Sequence, residues 1–158
     1  MRFIDSEAMK LLFSLVLVLL SLDCQTYFAK VIRIIDGDSI VILTNDNLQI
    51  KVRLEGIDCP EKSQDFGEKA RQYTAALCFN KNVRIEKKGQ DRYGRTLAYI
   101  YVDDLCVNKE LLKAGLAWHF KKYNTDPELA KLEKNARSEK KGLWAQPSPT
   151  PPWEFRKK

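Results

Sequence analysis

Two runs of β-branched and aliphatic residues, Val31-Ile32-Arg33-Ile34-Ile35 and Ser39-Ile40-Val41-Ile42-Leu43, flank Asp36-Gly37-Asp38. That pattern predicts two strands joined by a turn. Thr44-Asn45-Asp46-Asn47 is a second turn signal, and beyond it Ile50, Val52 and Leu54 alternate with Gln49, Lys51 and Arg53. The alternation predicts a third strand of the same meander and sends Arg53 to the face opposite the apolar set. After Gly67 the period changes: Phe66, Ala70, Tyr73, Thr74 and Leu77 recur at helical spacing with Lys69 and Arg71 outward. Val83-Arg84-Ile85 and Leu97-Ala98-Tyr99-Ile100-Tyr101-Val102 predict two further strands, and Asp103-Asp104 turns the chain toward Cys106-Val107.

Two more helices follow. Asn108 is the expected N-cap of one that carries Leu111 and Leu112 and stops near Gly115. Asp126-Pro127, a cap followed by a first-turn proline, opens the other, with Leu129, Leu132 and Ala136 inward until Gly142. Pro147, Pro149, Pro151 and Pro152 predict a non-helical extension, either a strap docked by Trp144, Trp153 and Phe155 or a disordered tail. Five short strands with a helix between the third and fourth give an α+β protein. They suggest a small closed barrel of the OB type, although the pattern alone also allows other α+β arrangements.

The N-terminus carries a different signal. Residues 11–22 read LLFSLVLVLLSL after Lys10, which resembles the apolar region of a signal peptide and is short for a spanning helix. The expected organisation is therefore a signal or hydrophobic segment at 1–24, a globular domain at 25–146 and a Pro-rich tail at 147–158. Export to the periplasm or the medium is expected, with the N-terminal segment or a lipid on Cys24 as the alternative routes to a membrane. Of 158 residues, 44% are hydrophobic and 30% charged, which fits one folded domain and argues against disorder through most of the chain. The formal charge is +6, and loss of 1–24 removes Arg2, Lys10, Asp5, Glu7 and Asp23, giving +7. A basic domain attracts polyanions, although scattered Lys and Glu also serve solubility. Cys24, Cys59, Cys78 and Cys106 show no CxxC spacing, and His119 is the single histidine, so a zinc site is not expected. Without Cys24, at most one disulfide can form within the mature chain.

Asp36, Asp38, Asp58 and Glu61 fall at strand ends, where turns can gather carboxylate oxygens of the kind hard cations prefer. Arg53 ends a strand, and Arg95 lies between two strands in Asp91-Arg92-Tyr93-Gly94-Arg95. Arginine presents planar, permanently charged donors that match phosphate oxygens, and phosphoryl-transfer transition states gather charge on those oxygens. Singly, each of these residues is equally at home in a hairpin turn or a surface ion pair.

Three motifs in order change that balance. Ile34-Ile35-Asp36-Gly37-Asp38-Ser39-Ile40, Val52-Arg53-Leu54-Glu55-Gly56-Ile57-Asp58-Cys59-Pro60-Glu61 and Asp91-Arg92-Tyr93-Gly94-Arg95-Thr96-Leu97-Ala98-Tyr99 closely resemble the thermonuclease family, the staphylococcal-nuclease-like domains. The resemblance runs from about Phe28 to Trp144. It implies a five-stranded OB-fold barrel with about three helices and a calcium-dependent endonuclease that leaves 3′-phosphate ends on DNA and RNA, with magnesium or manganese as alternative ions. It implies a metal held by Asp38, Asp58 and the backbone carbonyl of Cys59, with Asp36 behind them. Arg53 and Arg95 match the arginines that grip the scissile phosphate, Glu61 the general base, and Tyr93 a tyrosine beside the nucleotide's phosphate. Nucleic acid is the expected partner, as substrate, of a monomer that needs no stable protein partner. The rival expectations are a non-catalytic nucleic-acid or protein-binding module of the same fold, or a surface protein that holds anionic polymers.

The chain departs from the family in three places. Cys59 stands where its best-known member has threonine. The loop at residues 61–66 is short, which predicts a more open site. The family's two stacking tyrosines have no clean match, since Trp118, His119, Phe120 and Tyr123 occupy that region.

Overall fold

The computed structural model describes residues 25–157. The apolar run at 11–22 lies outside the described residues, as does residue 158. Among the described residues no helix is long and apolar enough to cross a membrane.

Five strands close a barrel. The longest, β1 (Thr26–Asp36), pairs antiparallel with β2 (Ser39–Leu43) through its second half and with β5 (Asn82–Gln90) through its first. Register shifts between Val31 and Arg33 and between Ile34 and Asp36 bend β1, which lets one strand serve both neighbours. β2 pairs antiparallel with β3 (Gln49–Leu54), and β5 with β6 (Thr96–Val102). A parallel pairing of β3 with β6, Val52 opposite Thr96 and Leu54 opposite Ala98, closes the ring. Closure leaves none of the five strands with a long free edge. Val31, Ile40, Ile42, Val52, Leu54, Ile85 and Ile100 fill the interior. They are the inward set that the period-2 pattern marks.

Three helices flank the barrel, as expected. In α1 (Gly67–Cys78) the buried stripe is Gly67, Ala70, Thr74 and Cys78. Thr74 Oγ1 donates to the carbonyl of Gly37 at 2.6 Å, fastening α1 to the turn between β1 and β2. A side chain at Gly37 would meet Ala70 Cβ at 2.7 Å and Cys59 Cβ at 2.8 Å, so only glycine lets that turn lie so close. α3 (Pro127–Ser138) begins as expected, with Asp126 Oδ1 accepting from the amide of Glu128 at 2.8 Å.

The start of α2 (Val107–Lys113) differs from expectation. Cys106 is its N-cap, and Asn108 is buried within the first turn. The Asn108 side chain accepts from the amide of Ile100 and donates to the carbonyls of Glu55 and Ala98, tying α2 to the barrel. Buried backbone groups at the β3 and β6 ends claim this amide, so it is not free to cap.

The Pro-rich extension is neither disordered nor wholly extended. After the 3-10 turn Gly142–Ala145 it runs back over the domain and ends in one helical turn, α4 (Pro152–Phe155). Trp153 packs edge-on against Trp118 and stacks on Phe120, with centroids 5.5 Å apart in both pairs. Trp144 lies edge-on to Trp118 at 4.4 Å, under the guanidinium of Arg137. Cys59, Cys78 and Cys106 are buried free thiols.

Candidate active site

Five elements deliver side chains to one end of the barrel. The turn before β2 carries Asp36 and Asp38, and the end of β3 carries Arg53, opposite Ser39 on one side and Leu97 on the other. The two-residue strand β4 (Ile57–Asp58) pairs with β7 (Trp118–His119), which sets Asp58 beside the aromatic segment. Glu61 follows on the loop into α1, and Tyr93 and Arg95 sit on the hairpin between β5 and β6. All eight expected site residues, Asp36, Asp38, Arg53, Asp58, Cys59, Glu61, Tyr93 and Arg95, line a single cleft of about 710 Å³.

Arg53 organises its floor. One guanidinium nitrogen lies 2.9 Å from Asp38 Oδ2 and the other 2.7 Å from Asp58 Oδ1, with the side chain only 11% exposed. The face opposite the apolar set is thus an ion-pair pocket, not open solvent. Asp38 Oδ2 also accepts the amide of Cys59, and Asp38 Oδ1 the hydroxyl of Ser39. Asp36 accepts the amide of Asp38 at 3.2 Å, which shapes the turn.

Burial pushes the Asp38 carboxyl up to about 6 against the pull of Arg53, and the neighbouring Asp36 pushes the same way. Burial raises Asp58 as well, against the hydrogen bond from Arg156. Asp36, Asp38, Asp58 and Glu61 set four carboxyls in this cleft around the paired guanidiniums of Arg53 and Arg156, and their oxygens are hard donors of the kind calcium or magnesium accepts. That donor set fits a divalent cation. Among the described residues no group of three or more His, Cys, Asp and Glu side chains converges as a metal site, so carbonyl, water or phosphate oxygens would complete the coordination. The Cys59 sulfur is not a candidate ligand: burial, then Asp38, pushes the thiol well above its ordinary range.

Arg95 is aimed by Asp91, a residue that sequence reasoning did not single out. Asp91 Oδ2 accepts from Arg95 Nε at 2.7 Å, while Oδ1 accepts the amides of Tyr93 and Arg95. The hairpin is closed by the amide of Gly94 donating to the Asp91 carbonyl, with Gly94 at φ +76. Engaging Nε leaves the terminal nitrogens of Arg95 available to the cleft. Tyr93 is 69% exposed, and its hydroxyl accepts from Arg92 at 2.6 Å.

The aromatic segment resolves into two pairs. Trp118 and His119 are buried, whereas Phe120 and Tyr123 line the cleft. The short loop that predicts a more open site is not bare. The C-terminal strap covers the short loop: Gln64 Nε2 donates to the carbonyl of Thr150, and Gln146 Nε2 to Asp65. Arg156 reaches Asp58 at 2.8 Å and Glu61 at 2.6 Å. Gln64 and Arg156 were not anticipated. Nothing in the local pattern of a Pro-rich extension marks one arginine as part of a site set by Asp58 and Glu61.

The chemistry of this cleft is matched by relatedness. The family described as "Staphylococcal nuclease homologue" matches residues 51–146. An "Uncharacterized endonuclease" of Haemophilus influenzae is 44% identical over 128 residues, covering 81% of this chain and 72% of the relative. A "Micrococcal nuclease" of Shigella flexneri is 39% identical over 139 residues, covering 81% and 79%. "Protein ParB" of Escherichia coli is 41% identical over 139 residues, covering 81% and 78%.

Proposed function

The chain belongs to the staphylococcal nuclease family, and on that premise we propose that it is a calcium-dependent endonuclease that hydrolyses DNA and RNA to 3′-phosphate ends. The observation that carries this reading is the convergence of Arg53, Glu61 and Arg95 with the desolvated pair Asp38 and Asp58 in one cleft. A module that only bound nucleic acid would need exposed basic charge, not two carboxylates buried beneath it.

Asp38 and Asp58, with the backbone carbonyl of Cys59, would hold the cation, and Asp36 shapes the turn behind them. When bound, the calcium ion supplies a Lewis acid at a phosphoryl oxygen. Arg53, already fixed by two carboxylates, donates to a non-bridging oxygen of the scissile phosphate, and Arg95 approaches from the hairpin side. Glu61 accepts a proton from the attacking water. The water oxygen forms the new bond to phosphorus, the bond to the 5′ oxygen breaks, that oxygen takes a proton from solvent and leaves as a hydroxyl, and Glu61 returns its proton to solvent. The charge that builds on the equatorial oxygens faces two guanidinium groups that need little reorganisation. Tyr93 borders the phosphate on the solvent side.

Product analysis tests the reaction class. End-labelled DNA and RNA oligonucleotides digested in calcium should yield fragments whose masses show a 3′-phosphate and a 5′-hydroxyl. Fragments with 5′-phosphate ends would contradict the assignment of bond and base. Export is proposed separately, on the apolar run at 11–22 alone. Mass analysis of the mature N-terminus tests it, and retained Met1 or Met9 would refute cleavage.

A further inference from the structure

We infer that Arg156 is a positioning residue for Glu61, and that the C-terminal strap is a wall of the reaction site against which the Glu61 loop is set. The inference rests on the reading of Glu61 as the general base.

Glu61 needs an outside restraint. It lies on an irregular loop before α1, its side chain is 35% exposed, and Arg156 is the cation paired with it among the described residues. Arg156 has what the loop lacks. Its Nη2 lies 2.8 Å from Asp58 Oδ2, and its Nη1 reaches Asp58 Oδ1 at 3.3 Å and Glu61 Oε1 at 2.6 Å. Asp58 is itself buried, 1% exposed, and paired with Arg53 at 2.7 Å. A planar guanidinium forked on a fixed carboxylate transfers that fixed position to the second carboxylate it touches. Lysine, with a single ammonium, would hold one of the two.

The strap reaches the same loop at two more points. Gln64 takes the amide of Glu61 on its Oε1 and gives its Nε2 to the carbonyl of Thr150, so the Glu61 backbone is tied to the strap through one side chain. Gln146 donates to Asp65 at 2.8 Å. The strap is seated independently of these contacts by Trp153, between Phe120 and Trp118, and by the buried Pro152. Arg156 lies one residue beyond the turn Pro152–Phe155, so the seat of Trp153 determines where the guanidinium falls.

The experiment compares wild type, Arg156→Ala, Arg156→Lys and the neighbouring control Lys157→Ala in the full chain. Cleavage of a DNA oligonucleotide in calcium should show Arg156→Ala lowering kcat about 10- to 100-fold with KM within about threefold, as expected for a misplaced reacting group. Arg156→Lys should show a smaller loss than Arg156→Ala, and Lys157→Ala should keep the wild-type kcat, with thermal midpoints close to wild type throughout. In parallel, amide hydrogen exchange of residues 61–66 in the calcium-free proteins should be faster in Arg156→Ala than in wild type. An unchanged kcat with unchanged exchange overturns the inference. So does a variant that binds calcium more tightly by calorimetry and cuts faster, because Arg156 would then be a competitor for Asp58. Should wild type itself fail to cut, the nuclease reading falls, and the exchange data still decide whether Arg156 fixes the Glu61 loop.

Discussion

Arg53 Nη2 meets Asp58 Oδ1 at 2.7 Å while Nη1 of the same guanidinium meets Asp38, so one side chain spans two buried carboxylates. A lysine at this position can satisfy only one of them. Arg53→Lys should lower unfolding free energy by about 1–3 kcal/mol, the cost of a buried acceptor left without its donor. Turnover should fall about 10²- to 10³-fold, as when one preorganised charge stabiliser is removed. Urea unfolding and steady-state cleavage check the two parts, and a variant unchanged in both would show that the fork is incidental.

Asp38 gives the metal-free protein a pH dependence of defined sign. Burial is the main cause that pushes its carboxyl up to about 6 in the fold, from an ordinary value of 3.8. The folded state therefore holds this proton more tightly than the unfolded state. The resulting stabilisation is complete below about pH 4 and lost as pH rises through 6. Metal-free wild type should lose roughly 1–3 kcal/mol from this group between pH 4.5 and 7.5, and Asp38→Asn should lack that part of the slope while keeping the contribution of the same sign from Asp58, which burial also raises. Asp91 and Glu86, whose carboxyls are held below their ordinary values, act in the opposite sense and only at more acidic pH. Urea midpoints across that range, measured with chelator present, decide the matter.

Asp91 holds the guanidinium of Arg95 through Nε at 2.7 Å. Asp91→Asn keeps an oxygen for the amides of Tyr93 and Arg95 but loses the charge that holds Arg95 Nε at 2.7 Å. Because the pair is partly exposed, stability should change by less than about 1 kcal/mol. Activity should fall about tenfold, because a guanidinium that wanders from its aim loses catalytic geometry. Kinetics and a thermal melt on one sample separate these effects, and equal losses in both would make Asp91 merely structural.

Much of this was legible in the sequence, and the exceptions share one cause. Strands β1, β2, β3 and β6 show in local period, Asp126 shows as a cap, and Asp36-Gly37-Asp38 shows as a turn because glycine there is flanked by β-branched runs. The eight residues that line the cleft as candidates stand out in the sequence because they cluster in three short motifs. Asn108 misled because a cap and a buried amide have the same local signature, and only the carbonyls of Glu55 and Ala98, brought in by the fold, distinguish them. Arg156 was invisible for the same reason. Its partners Asp58 and Glu61 lie far back in the chain, and a composition rich in proline describes a backbone preference, not a destination. Asp91, by contrast, has a local signal, since it stands four residues before Arg95 within the third motif.

The three described thiols should be inert. Burial pushes the Cys78 thiol up to about 12 and raises Cys59 and Cys106, and all three are buried and unpaired. A thiol reagent at pH 8 should leave Cys59, Cys78 and Cys106 unmodified in the native protein and label all three in urea, as read by peptide mass mapping. Reductant should not move the melting temperature, whereas a shift would reveal a disulfide.

Metal-dependent cleavage is the most direct test of the central claim that the cleft of Asp38, Arg53, Asp58, Glu61 and Arg95 hydrolyses phosphodiester bonds. Single-stranded DNA incubated with purified residues 25–158 should be degraded in calcium, spared when a chelator is added, and degraded again when calcium is restored in excess. DNA that stays intact in calcium, magnesium and manganese, even if bound in a salt-sensitive way, would contradict the claim and leave a binding module of the same fold.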